Sequence, residues 1–266
     1  MTLPNESVLM RVDAGVATLT LNRPQVLNAL DGDMVAAFGA AVDAIEADAA
    51  VRAVVIEGAG EHFMAGGDLR QFARTLAQDG AARRQHFLDA IARLHPIMIR
   101  LAALRPPVLA RVQGACAGFG LSLVAACDLA IAAEDAYFSL AYRHIGASPD
   151  GGSTWALPRQ IGMKRAMAVA LLGERFGAAE AERIGLINWA VPPAELEGET
   201  RRILRALASG PAAALAATKR LIRQSPDTGL EAQLEAERQS FADNAARPDF
   251  AEGIGAFLEK RPPKFE

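Results

Sequence analysis

The sequence predicts an α/β fold with a largely parallel sheet, extended by a helical C-terminal region. Three observations predict it. Short apolar runs at residues 51–57, 108–112 and 128–133 alternate with stretches of helical periodicity. Two glycine-bearing turns about fifty residues apart each follow a strand-like run and lead into a helix-like one. From residue 153 onward helical patterns dominate.

The elements follow in order. Residues 7–13 and 16–21 alternate apolar and polar positions around Ala14-Gly15, the pattern of a β-hairpin. Asp31 can cap a helix that carries Met34, Phe38, Val42 and Ile45 on one face. Residues 51–57 (VRAVVIE) are short and β-branched, as in a buried strand. Residues 69–104 have helical periodicity and many charges, with a break expected at Pro96. A strand at 108–112, a helix at 118–126 and a strand at 128–133 come next. That order implies right-handed crossovers. Helices are expected at 163–172, 178–184, 194–208, 212–224, 229–244 and 250–259, the last ending before Arg261-Pro262-Pro263. A helical tail with little core of its own is expected to pack on a neighbouring subunit.

Composition narrows the function. The chain has 266 residues, 51% of them hydrophobic and 22% charged, so it is globular. Its net charge of -3 and the lack of a Lys/Arg tract argue against nucleic acid as a partner. The longest uncharged apolar run, residues 121–127, is too short to span a membrane. The segment MTLPNESVLMRVD lacks a basic, then apolar leader pattern, so a cytoplasmic location is expected. Cys116 and Cys127 read as buried free thiols, and no spacing suggests a metal.

The chemistry is expected at the two turns, Phe63-Met64-Ala65-Gly66-Gly67-Asp68-Leu69 and Gly114-Ala115-Cys116-Ala117-Gly118-Phe119-Gly120-Leu121-Ser122. Glycine lets a ligand approach the main chain closely. Two backbone N–H groups aimed at one point make an oxyanion hole, and a helix starting after Gly118-Phe119-Gly120 would add its positive end. Two other readings fail. Ser122 is followed two residues later by Val124, where a nucleophile elbow needs glycine. Gly118-Phe119-Gly120 lacks the last glycine of a dinucleotide fingerprint, because Leu123 stands there. Asp128 reads as structural, His144 as structural or pocket-lining, and Trp155 as core.

Leu21-Asn22-Arg23-Pro24 followed by Leu27-Asn28-Ala29-Leu30 resembles the N-terminal signature of the crotonase, or enoyl-CoA hydratase/isomerase, superfamily. Ala65-Gly66-Gly67-Asp68-Leu69 resembles its first oxyanion loop, and Gln113 through Cys127-Asp128 its second. Leu171-Leu172-Gly173, Gly185-Leu186-Ile187-Asn188 and the C-terminal residues 250–264 are also similar, so the resemblance covers nearly the whole chain. It implies a crotonase-like ββα spiral core over residues 1–200 and a C-terminal helical trimerisation region over 201–266. The implied assembly is a homotrimer or a dimer of trimers. The implied substrate is an acyl-CoA thioester, with coenzyme A as part of the substrate and no separate cofactor or metal. The N–H groups of Gly67 and Phe119 would hold the acyl oxygen. Ala65, Asp68 and Leu69 would lie along the CoA, with Arg23 and Val26 near its nucleotide end and Tyr142 beside the substrate. Phe257 and Lys260 would close over the adenine, from this subunit or a neighbour.

Departures from the family pattern select the reaction. Hydratases of this family activate water between two glutamates, which would fall here at Ser122 and Tyr142. Neither side chain is a general base at neutral pH as a carboxylate is. A carboxylate does stand at Asp150, in Ser148-Pro149-Asp150-Gly151-Gly152-Ser153. Taken alone, that is a turn or N-cap aspartate. The resemblance gives it another role: isomerases acting on dienoyl-CoA and on epoxyphenylacetyl-CoA place their catalytic aspartate at this position, and residues 147–158 resemble the second group most. One carboxylate suits a 1,3-proton shift through an enolate held by the oxyanion hole. The expectation is therefore an isomerase. A hydratase and a non-catalytic acyl-CoA-binding homologue are the alternatives.

Overall fold

A computed structural model of the chain describes residues 3–265. A hairpin opens it, β1 (Val8–Asp13) and β2 (Val16–Leu21), paired antiparallel across Ala14-Gly15 as predicted. Then come α1 (Gly32–Ala47), β3 (Ala53–Gly58), α2 (Leu69–Arg74), α3 (Gly80–Ala103), β4 (Val108–Val112), β5 (Ala115–Ala117), α4 (Phe119–Ala126), β6 (Leu129–Ala133) and β7 (Tyr137–Ser139). The remainder comprises α5 (Ser153–Ile161), α6 (Met163–Leu172), β8 (Phe176–Gly177), α7 (Ala178–Ile184), β9 (Trp189–Val191), α8 (Leu196–Ala208), α9 (Ala212–Gln224), α10 (Leu230–Ala245) and α11 (Pro248–Leu258).

The main sheet runs β1-β2-β3-β4-β6-β9, and every pairing after β1-β2 is parallel. Its inner strands β3, β4 and β6 are largely apolar on both faces because both faces are covered. Val54, Ile56, Val108, Ala110, Ala130 and Ala132 turn to the larger core, shared with α1, α3 and α4. Their neighbours Val55, Leu109, Ile131 and Ala133 turn the other way, onto Leu196, Ile203 and Leu204 of α8. The period of two thus splits β3, β4 and β6 between two cores.

A second, three-stranded sheet, β5-β7-β8, lies beyond the predicted elements. Its strands are two or three residues long, too short to show a period. Pro96 also departs from expectation, because α3 runs through it. The chain breaks earlier, after α2, and Asp79 restarts it by accepting from Ala82 N at 2.8 Å. A mid-helix proline costs about 3 kcal/mol. Burying Leu94, Ile97, Met98 and Leu101 around it is worth ~1.5–3 kcal/mol per side chain, so packing wins. No helix among the described residues is long and apolar enough to cross a membrane.

Asp128, just ahead of β6, ties the C-terminal helices to the sheet. It accepts from Val108 N at 2.8 Å, from Lys219 Nζ at 2.7 Å and from Arg223 Nη2 at 2.7 Å. Burial pushes the Lys219 ammonium down from its usual value, and the Asp128 charge opposes that shift. Asp128→Ala would leave two cations with carbonyl acceptors only and no carboxylate, so a loss of about 3–5 kcal/mol is expected in urea unfolding.

Candidate active site

The site is built where β3 and β4 give way to their loops. Met64 N donates to Ala115 O at 3.0 Å, and Ala117 N to Met64 O at 2.8 Å, which joins the two glycine-bearing turns by main chain alone. The first turn is also bound to the segment before α1. Leu30 N donates to Gly66 O at 2.7 Å, and Asp68 N donates to Leu30 O at 2.9 Å. In such a parallel bridge the residue between those two bonds, Gly67, turns its own N–H away from Leu30.

The loops meet closely. A Cβ on Gly66 would lie 3.3 Å from Ala117 O and 3.5 Å from Phe119 N. Gly66 has φ +96° and Gly118 φ +53°, a region that glycine enters without strain. Phe119 is the first residue of α4, so its N–H has no partner within the helix. Among the described residues neither the Gly67 nor the Phe119 N–H is hydrogen-bonded.

Asp150 is held against the same helix end. Its carbonyl accepts from Ser122 Oγ at 2.9 Å and from Ser153 Oγ at 3.4 Å. The next residue, Gly151, has φ +66° and abuts Phe119, whose Cε2 would stand 2.6 Å from a Cβ placed there. The Asp150 carboxylate accepts a hydrogen bond from the Tyr142 hydroxyl at Oδ1. Burial, then the charge of Asp150, pushes the Tyr142 phenol far above its ordinary value, so it stays a donor.

The other predicted residues divide. Arg23 bridges Asp31 and Asp68 at 3.0 Å each, in a part-buried network. Asp68 also caps α2, accepting from Arg70 N at 3.0 Å and Gln71 N at 3.4 Å. Burial raises the Asp68 carboxyl, but the Arg23 bond and those two amides outweigh it and hold it below its usual 3.8. Val26 lies in a short 3-10 turn, Ala65 N binds Leu27 O at 3.0 Å, and Leu69 opens α2 with its side chain exposed. Phe257 is 82% exposed near the end of α11, and Lys260 follows it, both without a bond to the residues above.

Several contacts lie outside the sequence reading. Asn28, fully buried, donates to Ala59 O, His62 O and Phe63 O at 3.0, 2.7 and 3.2 Å and shapes the entry to the first turn. Its φ of +56° is tolerated by asparagine, a signal the sequence contains. His62 Nδ1 accepts from Ala115 N at 3.1 Å and adds a stitch between the loops. The Phe72 ring covers Gly67, with Phe87 edge-on at 5.0 Å. His144 binds Gly173 O at 3.1 Å, a structural use as expected. Trp155 corrects its expectation: it is 49% exposed rather than core, and Arg159 one turn on lies over its ring at 4.2 Å. Two clefts of about 240 and 450 Å³ lie elsewhere, against the C-terminal helices.

The architecture defines a crotonase-fold protein. Enoyl-CoA hydratases from Polaromonas sp. JS666 and Mycobacterium smegmatis superpose with TM-scores of 0.90 each, at 34% and 36% identity over 97% of this chain and 99% and 98% of theirs. A Rhodobacter capsulatus protein named probable enoyl-CoA hydratase is 41% identical over 97% of both chains. The 1,2-epoxyphenylacetyl-CoA isomerase of Escherichia coli is 38% identical over 98% of both. The sequence profile of the enoyl-CoA hydratase/isomerase family matches residues 11–266, and the chain belongs to that family.

Two outcomes test this geometry. Asp68→Asn is expected to cost about 1–2 kcal/mol at pH 7 in urea unfolding. Because the folded Asp68 is held below 3.8, its charge-dependent stabilisation is complete above that pH and fades as pH falls through the lowered value. The gap between wild type and variant therefore narrows in acid. Gly151→Ala forces a Cβ onto the Phe119 ring at a positive φ, so a loss of about 1–3 kcal/mol is expected, measured by the same unfolding.

Proposed function

We propose that this chain is an enoyl-CoA isomerase that moves a proton along the acyl chain of a CoA thioester. The observation that carries the reading is the carboxylate held at the N-terminal end of α4. Asp150 stands there, while Ser122 and Tyr142 beside it are hydroxyls bonded to it. The Gly67 and Phe119 N–H groups hold the thioester oxygen. Asp150 takes a proton from the α or γ carbon, the electron pair enters the dienolate, and the same acid returns the proton at the other carbon. An oxyanion donor is worth roughly 10²–10³ in rate. A general base adds about 10²–10⁴.

The remaining roles complete the proposal. Arg23, Val26, Ala65, Asp68 and Leu69 lie along the CoA, and Phe257 and Lys260 close over its adenine, in a trimer or dimer of trimers working in the cytoplasm without a separate cofactor. Among relatives, a trans-2-decenoyl-[acyl-carrier-protein] isomerase of Streptococcus mutans, 33% identical over 98% of both chains, supports a double-bond shift, and the Escherichia coli relative supports an isomerase of CoA thioesters more generally. The Rhodobacter capsulatus relative favours hydration instead.

The test is direct. With a 3-enoyl-CoA, isomerisation raises the absorbance of the conjugated thioester. With crotonyl-CoA, hydration would lower it steadily and sink the isomerase reading. Solvent deuterium is expected to wash into the acyl chain. Asp150→Asn is expected to reduce both isomerisation and wash-in by about 10²–10⁴ while the protein stays folded.

A further inference from the structure

Tyr142 is placed with unusual firmness for a residue in a short connection. It opens the 3-10 turn Tyr142–Ile145, which Gly146 ends in the left-handed region. Its carbonyl accepts from Ala147 N at 3.1 Å. The two residues after it grip the end of α6: Arg143 Nη1 donates to Leu171 O at 2.8 Å and Leu172 O at 3.0 Å, and His144 Nε2 meets Gly173 O at 3.1 Å. The phenol is thus carried by a segment fixed at both ends, and its hydroxyl lands on Asp150.

Asp150 is correspondingly constrained. Ser122 holds its carbonyl, Gly151 is pressed against Phe119, and Tyr142 holds one carboxylate oxygen. We infer that Tyr142 is a positioning residue for the acid: its hydroxyl occupies Oδ1 and leaves Oδ2 as the oxygen that takes and returns the substrate proton. This rests on the isomerase reading of the site. When Oδ2 takes the proton, the carboxylate becomes a carboxylic acid and the C–H electron pair passes to the enolate. The Tyr142 proton stays on its own oxygen throughout, consistent with an ionisation that burial and the neighbouring charge push far up. A fixed oxygen shortens the search for a reactive geometry, which accelerates the chemical step without strengthening binding.

Tyr142→Phe keeps the ring and removes only the hydroxyl. The expected result is kcat lowered about 10–100-fold, with KM and the inhibition constant of a saturated acyl-CoA held within about 2-fold. Unchanged kcat, or a raised KM with kcat nearly intact, would overturn the proposal and make Tyr142 a wall of the acyl pocket. A second measurement needs no folded Tyr142 variant. The chain has two tyrosines, so tyrosine labelled with ¹³C at Cζ gives two resonances, and Tyr137→Phe identifies that of Tyr142. Asp150→Asn is expected to shift the Tyr142 resonance, and a resonance indifferent to that change overturns the contact. A wild type that shows no proton exchange, with the resonance shift intact, would instead end the isomerase reading and leave the contact standing.

Discussion

The pairing of Met64 with Ala115 and Ala117 is the constraint on which the rest depends. Two loops from different crossovers are joined there by two main-chain hydrogen bonds, at 3.0 and 2.8 Å. A buried backbone group left unpaired costs ~1–3 kcal/mol, so each loop is held by what the other supplies. Gly120 fits directly against Met64, where a Cβ would stand 3.1 Å from the methionine Cβ. That contact sets where α4 begins, and so where the Phe119 N–H lies. Among the described residues the N–H groups of Gly67 and Phe119, like those of Gly66 and Gly120, take no part in this stitching.

Charge completes what the main chain begins, at two places. Arg23 pulls Asp31 and Asp68 together, so the cap of α1 and the cap of α2 share one guanidinium. Asp128 gathers Lys219 and Arg223 from α9 onto the sheet. Such part-buried pairs add little net stability when intact, because desolvation offsets the attraction. Their effect lies in the cost of any arrangement that separates them. The first cluster therefore fixes the entry to the glycine turn, and the second fixes the helices that follow the core.

Pattern makes much of this legible before any coordinates. The hairpin around Ala14-Gly15, the Asp31 cap, the three buried strands and most C-terminal helices follow from periods of 2 and 3.6 with their caps. Pro96 and Trp155 defeat local rules: a buried stripe carries the helix through proline, and an arginine one turn away lies over an exposed indole. The β5-β7-β8 sheet is illegible because pairing alone makes strands of two or three residues. At the candidate site, sequence picks out Gly67, Phe119 and Asp150 as types. It gives no sign that Tyr142 and Ser122 both bond to Asp150, because those contacts join residues 8 and 28 positions apart through turns.

The hydroxyls beside Asp150 also bear on which reaction this end of α4 supports. Adding water across a double bond needs one group to deprotonate the water and a source of the proton delivered to carbon. Two carboxylates can divide those tasks. On the isomerase reading proposed above, the phenol kept protonated by burial and the serine bonded to a carbonyl take neither task, and each donates its hydrogen to Asp150. What they supply is a fixed place for the acid. A 1,3-proton shift needs no more than that, because one oxygen can receive the proton and release it to another carbon while the enolate is held. On the proposed reading, replacing two carboxylates by two hydroxyls leaves the site with a single, better-located base, and the chemistry narrows with it.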